Sequence, residues 1–172
     1  NNHMLWMSHE FKLNSQDRFL LKTPLTFDPS IWELLLPFYL GATLVIAESV
    51  THANQSLLSN YVDHYEISVL QLVHVILHRL LISKKPEQLK SLRYLFVGGE
   101  SLSRKTKELF FEKTTGCSLI NLYGPAEATI DTTFYRVMNN ERDISHNYIG
   151  KPIYNVTLYV LNENMEFCNP NE

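Results

Sequence analysis

The sequence predicts an α/β fold, with a mainly parallel sheet flanked by helices and a more antiparallel strand region near its C-terminal end. Short apolar runs rich in β-branched residues alternate with longer segments of helical spacing. This alternation is typical of parallel sheets covered by helices. Toward the end of the chain the strand-like runs follow one another with no helical segment between them. We therefore expect an α/β part over about residues 1–130 and a strand-rich part over residues 131–172.

The individual elements follow from these patterns in chain order. Runs of apolar and β-branched residues predict strands at residues 20–23, 43–47, 68–72, 94–97, 118–122, 132–137 and 156–161. Apolar residues at intervals of three and four predict helices at residues 30–39, 55–65, 73–83 and 103–113. Ser30 is the expected N-terminal cap of the first helix, and Gly41 is its expected end.

The composition indicates a soluble globular chain that lies in the cytoplasm. Of its 172 residues, 45% are hydrophobic and 19% are charged. A net charge of −3 without a basic stripe argues against nucleic-acid binding. No apolar run approaches the ~18 residues of a membrane span, and the N-terminus lacks the pattern of a signal peptide. We expect Cys117 and Cys168 to be reduced thiols.

The segment Phe27-Asp28-Pro29-Ser30 lies between a predicted strand and a predicted helix. One interpretation is a plain helix N-terminus, at which Asp28 favours the positive end of the helix dipole. The other is an anionic anchor for a substrate ammonium group, with Trp32 one turn further along the helix as a pocket wall. Ligands of parallel sheets bind beyond the carboxyl ends of the strands, where this segment lies.

Two further strand ends carry unusual residues. Gly98-Gly99-Glu100 follows one strand, and the glycines would let a ligand approach the backbone, although Glu100 could equally belong to a helix cap. Neither a dinucleotide fingerprint nor a Walker loop is present. The run 121–129, NLYGPAEAT, combines an aromatic ring, a sharp turn and a carboxylate. It is either an ordinary turn or a platform for a purine on Tyr123, with Glu127 near a phosphate-bound Mg²⁺.

With these motifs in this order, the chain resembles the adenylation domains of nonribosomal peptide synthetases, within the superfamily of adenylate-forming enzymes. The resemblance extends from about residue 6 to residue 172. It includes the segments FDPS, LPFYLGATLVIA, VGGE, NLYGPAEATI and IGKPIYNVTLYVL. It implies a ligase that joins an amino acid to ATP as an aminoacyl adenylate, by attack of the substrate carboxylate on the α-phosphorus with release of pyrophosphate.

The resemblance also implies a role for each matching residue. Asp28 would pair with the substrate α-ammonium, Tyr123 would stack on adenine, and Glu127 would contact Mg²⁺. The adenine side would be lined by Gly99, Glu100, Asn121 and Gly124. The pocket for the amino-acid side chain would be lined, besides Asp28, by Pro29, Trp32, Gln71, Phe96, Gly98, Leu122, Ile130 and Asp131.

That predicted side-chain pocket has apolar walls and two polar ends, Gln71 and Asp131. A purely aliphatic substrate would leave both polar groups unpaired, at about 1–3 kcal/mol for each buried group without a partner. A side chain that can form hydrogen bonds is therefore favoured. The set of residues resembles pockets assigned to glutamine.

Two positions depart from the family pattern. Ala126 stands where many relatives have threonine, and His74 stands where the family often has proline. His74 and His78 are spaced four apart on a predicted helix, which is compatible with a metal site or with ordinary surface or packing histidines.

The resemblance also predicts what this chain lacks. A Lys-containing phosphate loop, a Tyr-x-x-Gly-Asp segment, the hinge and the small C-terminal domain are not in the sequence. We therefore expect a fragment of the large N-terminal core that does not catalyse adenylation alone. The expected partners are the amino acid, ATP with Mg²⁺, a condensation domain and a peptidyl carrier domain bearing phosphopantetheine. No nucleic acid and no membrane are expected.

Three alternatives remain open. The chain could come from an aryl or fatty acyl adenylating ligase, whose substrate has no amine for Asp28 to bind. It could be a non-catalytic remnant that serves as an interaction module. It could also be an unrelated nucleotide-binding α/β domain, which would leave the late motif Gly150-Lys151-Pro152-Ile153 unexplained.

Overall fold

The structure is a computed structural model that describes residues 1–48, 51, 54–83 and 89–169. Its helices are α1 (Asn2–Glu10), α2 (Pro29–Leu40), α3 (Gln55–His64), α4 (His74–Ser83), α5 (Arg104–Lys113) and α6 (Glu141–Ser145). Its strands are β1 (Arg18–Leu21), β2 (Thr43–Ile46), β3 (Val69–Val73), β4 (Tyr94–Gly98), β5 (Ser118–Tyr123), β6 (Thr133–Arg136) and β7 (Lys151–Pro152). A 3₁₀ turn covers Ala126–Ala128.

The strands form one sheet in the order β2-β1-β3-β4-β5-β6-β7. The first five strands of the chain pair in parallel, whereas β6 and β7 are antiparallel to their neighbours. This arrangement confirms the predicted fold class. Parallel pairing brings the carboxyl ends of β1, β3, β4 and β5 to the same edge of the sheet.

Apolar clusters cover both faces of the sheet. On one face α3, α4 and α5 pack on the strands through residues such as Leu58, Leu77 and Phe110. On the other face α1 and α2 contribute Trp6 and Trp32 to a cluster of aromatic rings. Both faces are thereby buried, which explains why the central strands read as nearly continuous apolar runs.

The N-terminal helix contacts residues from the C-terminal third of the chain. The side chain of Asn2 donates to the backbone carbonyl of Tyr154 and accepts from the side chain of Asn155. His3, one position further along, contacts Asp131. The sequence patterns did not identify α1 as a helix.

Three local predictions were wrong. Ser30 does not cap α2, because Asp28 occupies the cap position and the Ser30 hydroxyl donates to the Phe27 carbonyl at 2.7 Å. Residues 156–161 do not form a strand; only Leu161 bridges to Phe167. The adjacent β7 is two residues long, so this apolar run has no extended partner edge. The short helix α6 also interrupts the tail, where we expected no helix.

Other predictions hold within one or two residues. The remaining strands and helices are present at the expected places, and Gly41 ends α2 in the left-handed conformation. None of the helices in the described part of the chain is both long and apolar enough to cross a membrane.

Candidate functional site

A cavity of about 470 Å³ opens at the carboxyl ends of the parallel strands, and we call it the first cavity. It is bounded by the segments that follow β1, β3, β4 and β5 and by the N-terminal turn of α2. Eight of the predicted side-chain pocket residues line it: Asp28, Pro29, Trp32, Gln71, Gly98, Leu122, Ile130 and Asp131. The fold thus brings together residues that lie more than a hundred positions apart in the sequence.

Phe96 is the predicted pocket residue that does not line the first cavity. Its side chain is fully buried on β4, and its ring packs edge-on against Trp32 with centroids 5.5 Å apart. Trp32 itself lines the cavity, so Phe96 contacts a residue of the cavity wall. Phe96 supports the wall instead of forming its surface.

Asp28 lies at the cap position of α2, but its side chain makes no capping hydrogen bond. None of the described residues forms an ion pair or a hydrogen bond with its carboxylate. The carboxylate faces the first cavity, and Pro29 occupies the first turn, where the missing N–H costs nothing. Asp28 therefore does not cap the helix through its side chain, which would bond to the free N–H groups if it did.

Lys22 and Glu33 form a buried ion pair at one end of the first cavity. Lys22 Nζ lies 3.0 Å from Glu33 Oε1, and both side chains are almost fully buried. The same ammonium group donates to Gln71 Oε1 at 3.1 Å and to Thr23 Oγ1 at 2.6 Å. Glu33 Oε2 accepts the backbone N–H groups of Lys22 and Thr23.

Burial lowers the pKa of Lys22 below its usual value, and the charge and hydrogen bond of Glu33 oppose this effect. A buried ammonium group is costly unless it is paired and fully hydrogen-bonded. Each N–H of Lys22 has an acceptor here, so the pair meets that requirement.

Asp131 closes another part of the first cavity and is held by the N-terminal helix. Its Oδ2 lies 2.9 Å from His3 Nε2, and both side chains are buried. The contact fixes one carboxylate oxygen of Asp131. The other has no hydrogen-bond partner among the described residues.

These contacts weaken one argument made from the sequence. An aliphatic substrate would not leave Gln71 and Asp131 wholly unpaired, because each already has one atom bonded to a protein group. Only the remaining amide nitrogen and carboxylate oxygen would lose water without compensation. The predicted preference for a polar substrate then depends on those two atoms.

A second cavity of about 460 Å³ lies beside the first, and we call it the second cavity. All five residues predicted for the adenine side line it: Gly99, Glu100, Asn121, Tyr123 and Gly124. The ring of Tyr123 is 53% exposed, so an aromatic face is available for stacking. Asn121 donates through Nδ2 to the Tyr148 carbonyl at 2.9 Å, which holds the loop at residues 147–149 on the far side.

Gly99, Leu122 and Gly124 line both cavities. A Cβ atom at Gly124 would lie 2.6 Å from the Asp131 Cα, closer than any real contact. Glycine therefore permits the segment before β6 to pass directly over the end of β5. This close approach brings Ile130 and Asp131 to the first cavity.

The structure offers less support for the predicted contact between Glu127 and Mg²⁺. Glu127 lies in the exposed 3₁₀ turn after Tyr123 and lines neither cavity. Among the described residues no group of three metal-ligating side chains is found. A lone carboxylate fits Mg²⁺ only as one ligand of an ion that phosphate oxygens also hold.

His74 and His78 share a protein partner. His74 Nε2 lies 3.0 Å and His78 Nδ1 2.8 Å from the hydroxyl of Thr106 on α5. The Ser103 backbone N–H donates to His74 Nε2 at 3.1 Å. These contacts join α4 to the N-terminus of α5, as packing histidines do.

The sequence analysis did not identify Lys22, Thr23 and His3 as site residues. Lys22 and Thr23 directly follow β1, so the rule that ligands bind at strand ends could have found them. No spacing signal could have found His3, because its partner lies 128 positions further along the chain.

Comparisons with known proteins show the family to which the chain belongs. A family model described as AMP-binding enzyme matches residues 1–172. Tyrocidine synthase 3 of Brevibacillus parabrevis is 40% identical over 161 residues, which are 94% of this chain and 2% of that protein. A dimodular nonribosomal peptide synthase of Bacillus subtilis (strain 168) is 36% identical over 171 residues, 99% of this chain and 7% of that protein.

A solved structure is similar over almost the whole chain. The Vibrio cholerae adenylation domain AlmE, in complex with glycyl-adenosine-5'-phosphate, shares 28% identity with a TM-score of 0.82, over 95% of this chain and 31% of that one. The chain spans a small part of each of these relatives. The comparisons confirm the resemblance to adenylation domains that the motifs indicated.

Proposed function

The chain belongs to the AMP-binding enzyme family, and we propose that it forms the part of an amino-acid adenylating ligase that holds the amino acid and the adenine of ATP. The observation that carries the proposal is a pair of adjoining cavities with different chemistry. The first presents the unpaired carboxylate of Asp28, and the second presents the exposed ring of Tyr123. The Vibrio cholerae relative, solved with glycyl-adenosine-5'-phosphate, supports the same division.

The reaction is attack of the amino-acid carboxylate on the α-phosphorus, which releases pyrophosphate. In this proposal Asp28 pairs with the α-ammonium and fixes the amino acid, while Tyr123 and the Gly99-Glu100 backbone fix adenine. Catalysis of this kind depends on positioning and on neutralising charge. A Mg²⁺ ion that contacts Glu127 and the phosphates would supply part of that neutralisation.

We further propose that the natural substrate carries a polar side chain, with glutamine as the first candidate. Trp32, Leu122 and Ile130 supply apolar contact for its methylene groups. Gln71 and Asp131 each offer one hydrogen-bonding atom that no described residue occupies. A primary carboxamide carries both an acceptor and a donor and would pair with both.

The same proposal covers the wider protein. The chain would be part of a large N-terminal core, with an α/β part over residues 1–130 and a strand-rich part after it. Groups for the triphosphate and for the attacking carboxylate would come from outside this chain, so the chain alone would not catalyse adenylation. Carrier and condensation domains, with phosphopantetheine on the carrier, would be its partners, because the family resemblance implies them.

Amino-acid-dependent exchange of pyrophosphate into ATP, measured on the protein at its natural length, tests the proposal. We expect exchange with one polar amino acid, and Asp28→Asn should lower kcat/KM for it by roughly a hundredfold, because a charged hydrogen-bond partner is lost. Asp63→Asn, on α3 and away from both cavities, is the matched control. Exchange with an aryl or fatty acid that survives Asp28→Asn would favour the acyl ligase instead. The absence of exchange with any acid would favour a non-catalytic remnant.

A further inference from the structure

We propose that Lys22, held by Glu33, is a positioning residue that determines specificity: it orients the Gln71 carboxamide so that the amide nitrogen donates into the first cavity. This inference rests on the proposed function for its meaning in catalysis. The orientation itself rests on the contacts of three buried side chains. Neither Lys22 nor Glu33 belongs to the residues that the sequence motifs assigned to the pocket.

The first step concerns what an ammonium group can do. Lysine has three N–H donors and no acceptor, so it can face only oxygen atoms. In this structure the three acceptors are Thr23 Oγ1, Glu33 Oε1 and Gln71 Oε1. The amide of Gln71 must therefore present its oxygen to Lys22. The reverse orientation would set its NH₂ group against a cation that carries only donors.

The second step concerns the fixed position of Lys22. Glu33 binds the ammonium through Oε1 and the backbone N–H groups of Lys22 and Thr23 through Oε2. The Thr23 hydroxyl also donates to Glu33 Oε1 at 2.6 Å. Lys22 is thus held at both its backbone and its head group. With its donors used and its charge neutralised, it does not itself offer a binding group to an acidic substrate.

The third step concerns the free end of the amide. Gln71 is buried and lines the first cavity. Its Nε2 atom has no acceptor among the described residues, and it is not fully buried. Solvent therefore reaches Nε2, and the solvent space that Gln71 borders is the cavity.

Together these steps define the chemistry that the pocket selects. Gln71 supplies a donor, and the second carboxylate oxygen of Asp131 supplies an acceptor, because His3 occupies the first. A carboxamide matches both groups. A carboxylate side chain would match Gln71 but would place a like charge near Asp131, which disfavours it. The pocket should therefore prefer glutamine to glutamate although a lysine lies at its edge.

The test uses three substrates that differ at one group: glutamine, methionine sulfoxide and methionine. The sulfoxide has the acceptor oxygen of glutamine without its donor, and methionine has neither. In the natural-length protein we expect kcat/KM for the sulfoxide to exceed that for methionine by about tenfold, the usual effect of one hydrogen bond. Lys22→Met should reduce this ratio to about twofold or less, because the amide of Gln71 is then free to rotate.

Two further variants distinguish the loss of this specificity ratio from a loss of stability. Lys22→Met leaves Glu33 buried without its partner and can destabilise the fold, so Lys22→Met/Glu33→Gln removes both charges and should give the same loss of the ratio. Lys107→Met is the matched control, because Lys107 is also buried but donates to carbonyl oxygens of residues 143 and 146. Its ratio should stay at the wild-type value. An undiminished ratio in folded Lys22 variants would overturn the proposal and leave the amino-acid ligase intact.

A measurement that does not depend on activity separates the two proposals. In protein labelled with ¹⁵N at glutamine side chains, Gln71→Met identifies the Gln71 amide signal. We expect its NH₂ protons to exchange with water, because they face the cavity. Protection from exchange would place them against protein and refute the orientation. If no amino acid is activated but these protons exchange, the orientation stands and the proposed function fails.

Discussion

At the scale of single residues, the contacts of His74 connect the end of one strand to the start of a helix. His74 follows β3 directly and accepts the backbone N–H of Ser103, which begins α5. Proline, which the family resemblance led us to expect at this position, could not form that bond. His74 therefore links the end of β3 to the segment that follows Gly99-Glu100 beside the second cavity.

This contact predicts how stability depends on pH. Partial burial is the main cause that lowers the pKa of His74; nearby His78 lowers it further, and Glu100 partly opposes both. Because the folded pKa is below the unfolded value of about 6.5, the folded state binds fewer protons. The stabilisation is present above pH 6.5 and is lost as the pH falls through 6.5 toward the folded pKa. The midpoint of thermal unfolding, followed from pH 7.5 to 5, should fall more steeply for wild type than for His74→Gln. Parallel slopes would contradict this assignment.

At the scale of elements, sequence patterns predicted the strands and helices that are set by burial and by local caps. They did not predict features that depend on a partner elsewhere in the fold. The central strands were predicted because both of their faces are covered, and α3 and α5 because their apolar faces and caps are local. The run at 156–161 has equal β propensity, but no long edge is there to pair with it. In α2 the proline at residue 29 begins the helix one residue before the serine that appeared to be its cap.

The N-terminal cap of α3 allows a direct test of element stability. The side chain of Asn54 accepts the backbone N–H of Leu57 at 3.0 Å. Asn54→Ala should lower the free energy of unfolding by about 1 kcal/mol, since one helix N–H loses its partner. Asn60→Ala, on the exposed surface of the same helix, should cause no loss because alanine is the better helix former. Chemical denaturation measures both variants. Equal effects would show that the cap does not limit the stability of α3.

At the scale of the whole molecule, the sheet topology explains how far the candidate site could be predicted. Residues at the ends of β3, β4 and β5 converge because the strands are parallel, and the family resemblance had predicted that Gln71, Gly98 and Leu122 lie together. Contacts between distant parts of the chain were not predicted from the sequence. The bonds from His3 to Asp131 and from Lys22 to Gln71 join residues whose sequence positions carry no mutual signal.

The surface predicts how the chain behaves in solution. The outer side of α2 exposes Ile31, Leu35 and Phe38, which follow one another along the helix. Apolar surface of this extent favours association. Light scattering by the chain should show a molar mass above that of the monomer that rises with concentration, and Ile31→Lys/Phe38→Lys should reduce it. A constant monomer mass at high concentration would contradict this prediction.

The contacts of α1 also set an order of events during synthesis. His3 leaves the ribosome before Asp131, which lies 128 positions further along the chain, and before Tyr154 and Asn155. At roughly 5–20 residues per second, this interval is on the order of ten seconds. The nascent chain can assemble β1 to β4 before the polar partners of α1 have been synthesised. The first cavity is therefore completed only after residue 131 has been synthesised, when Asp131 docks against α1.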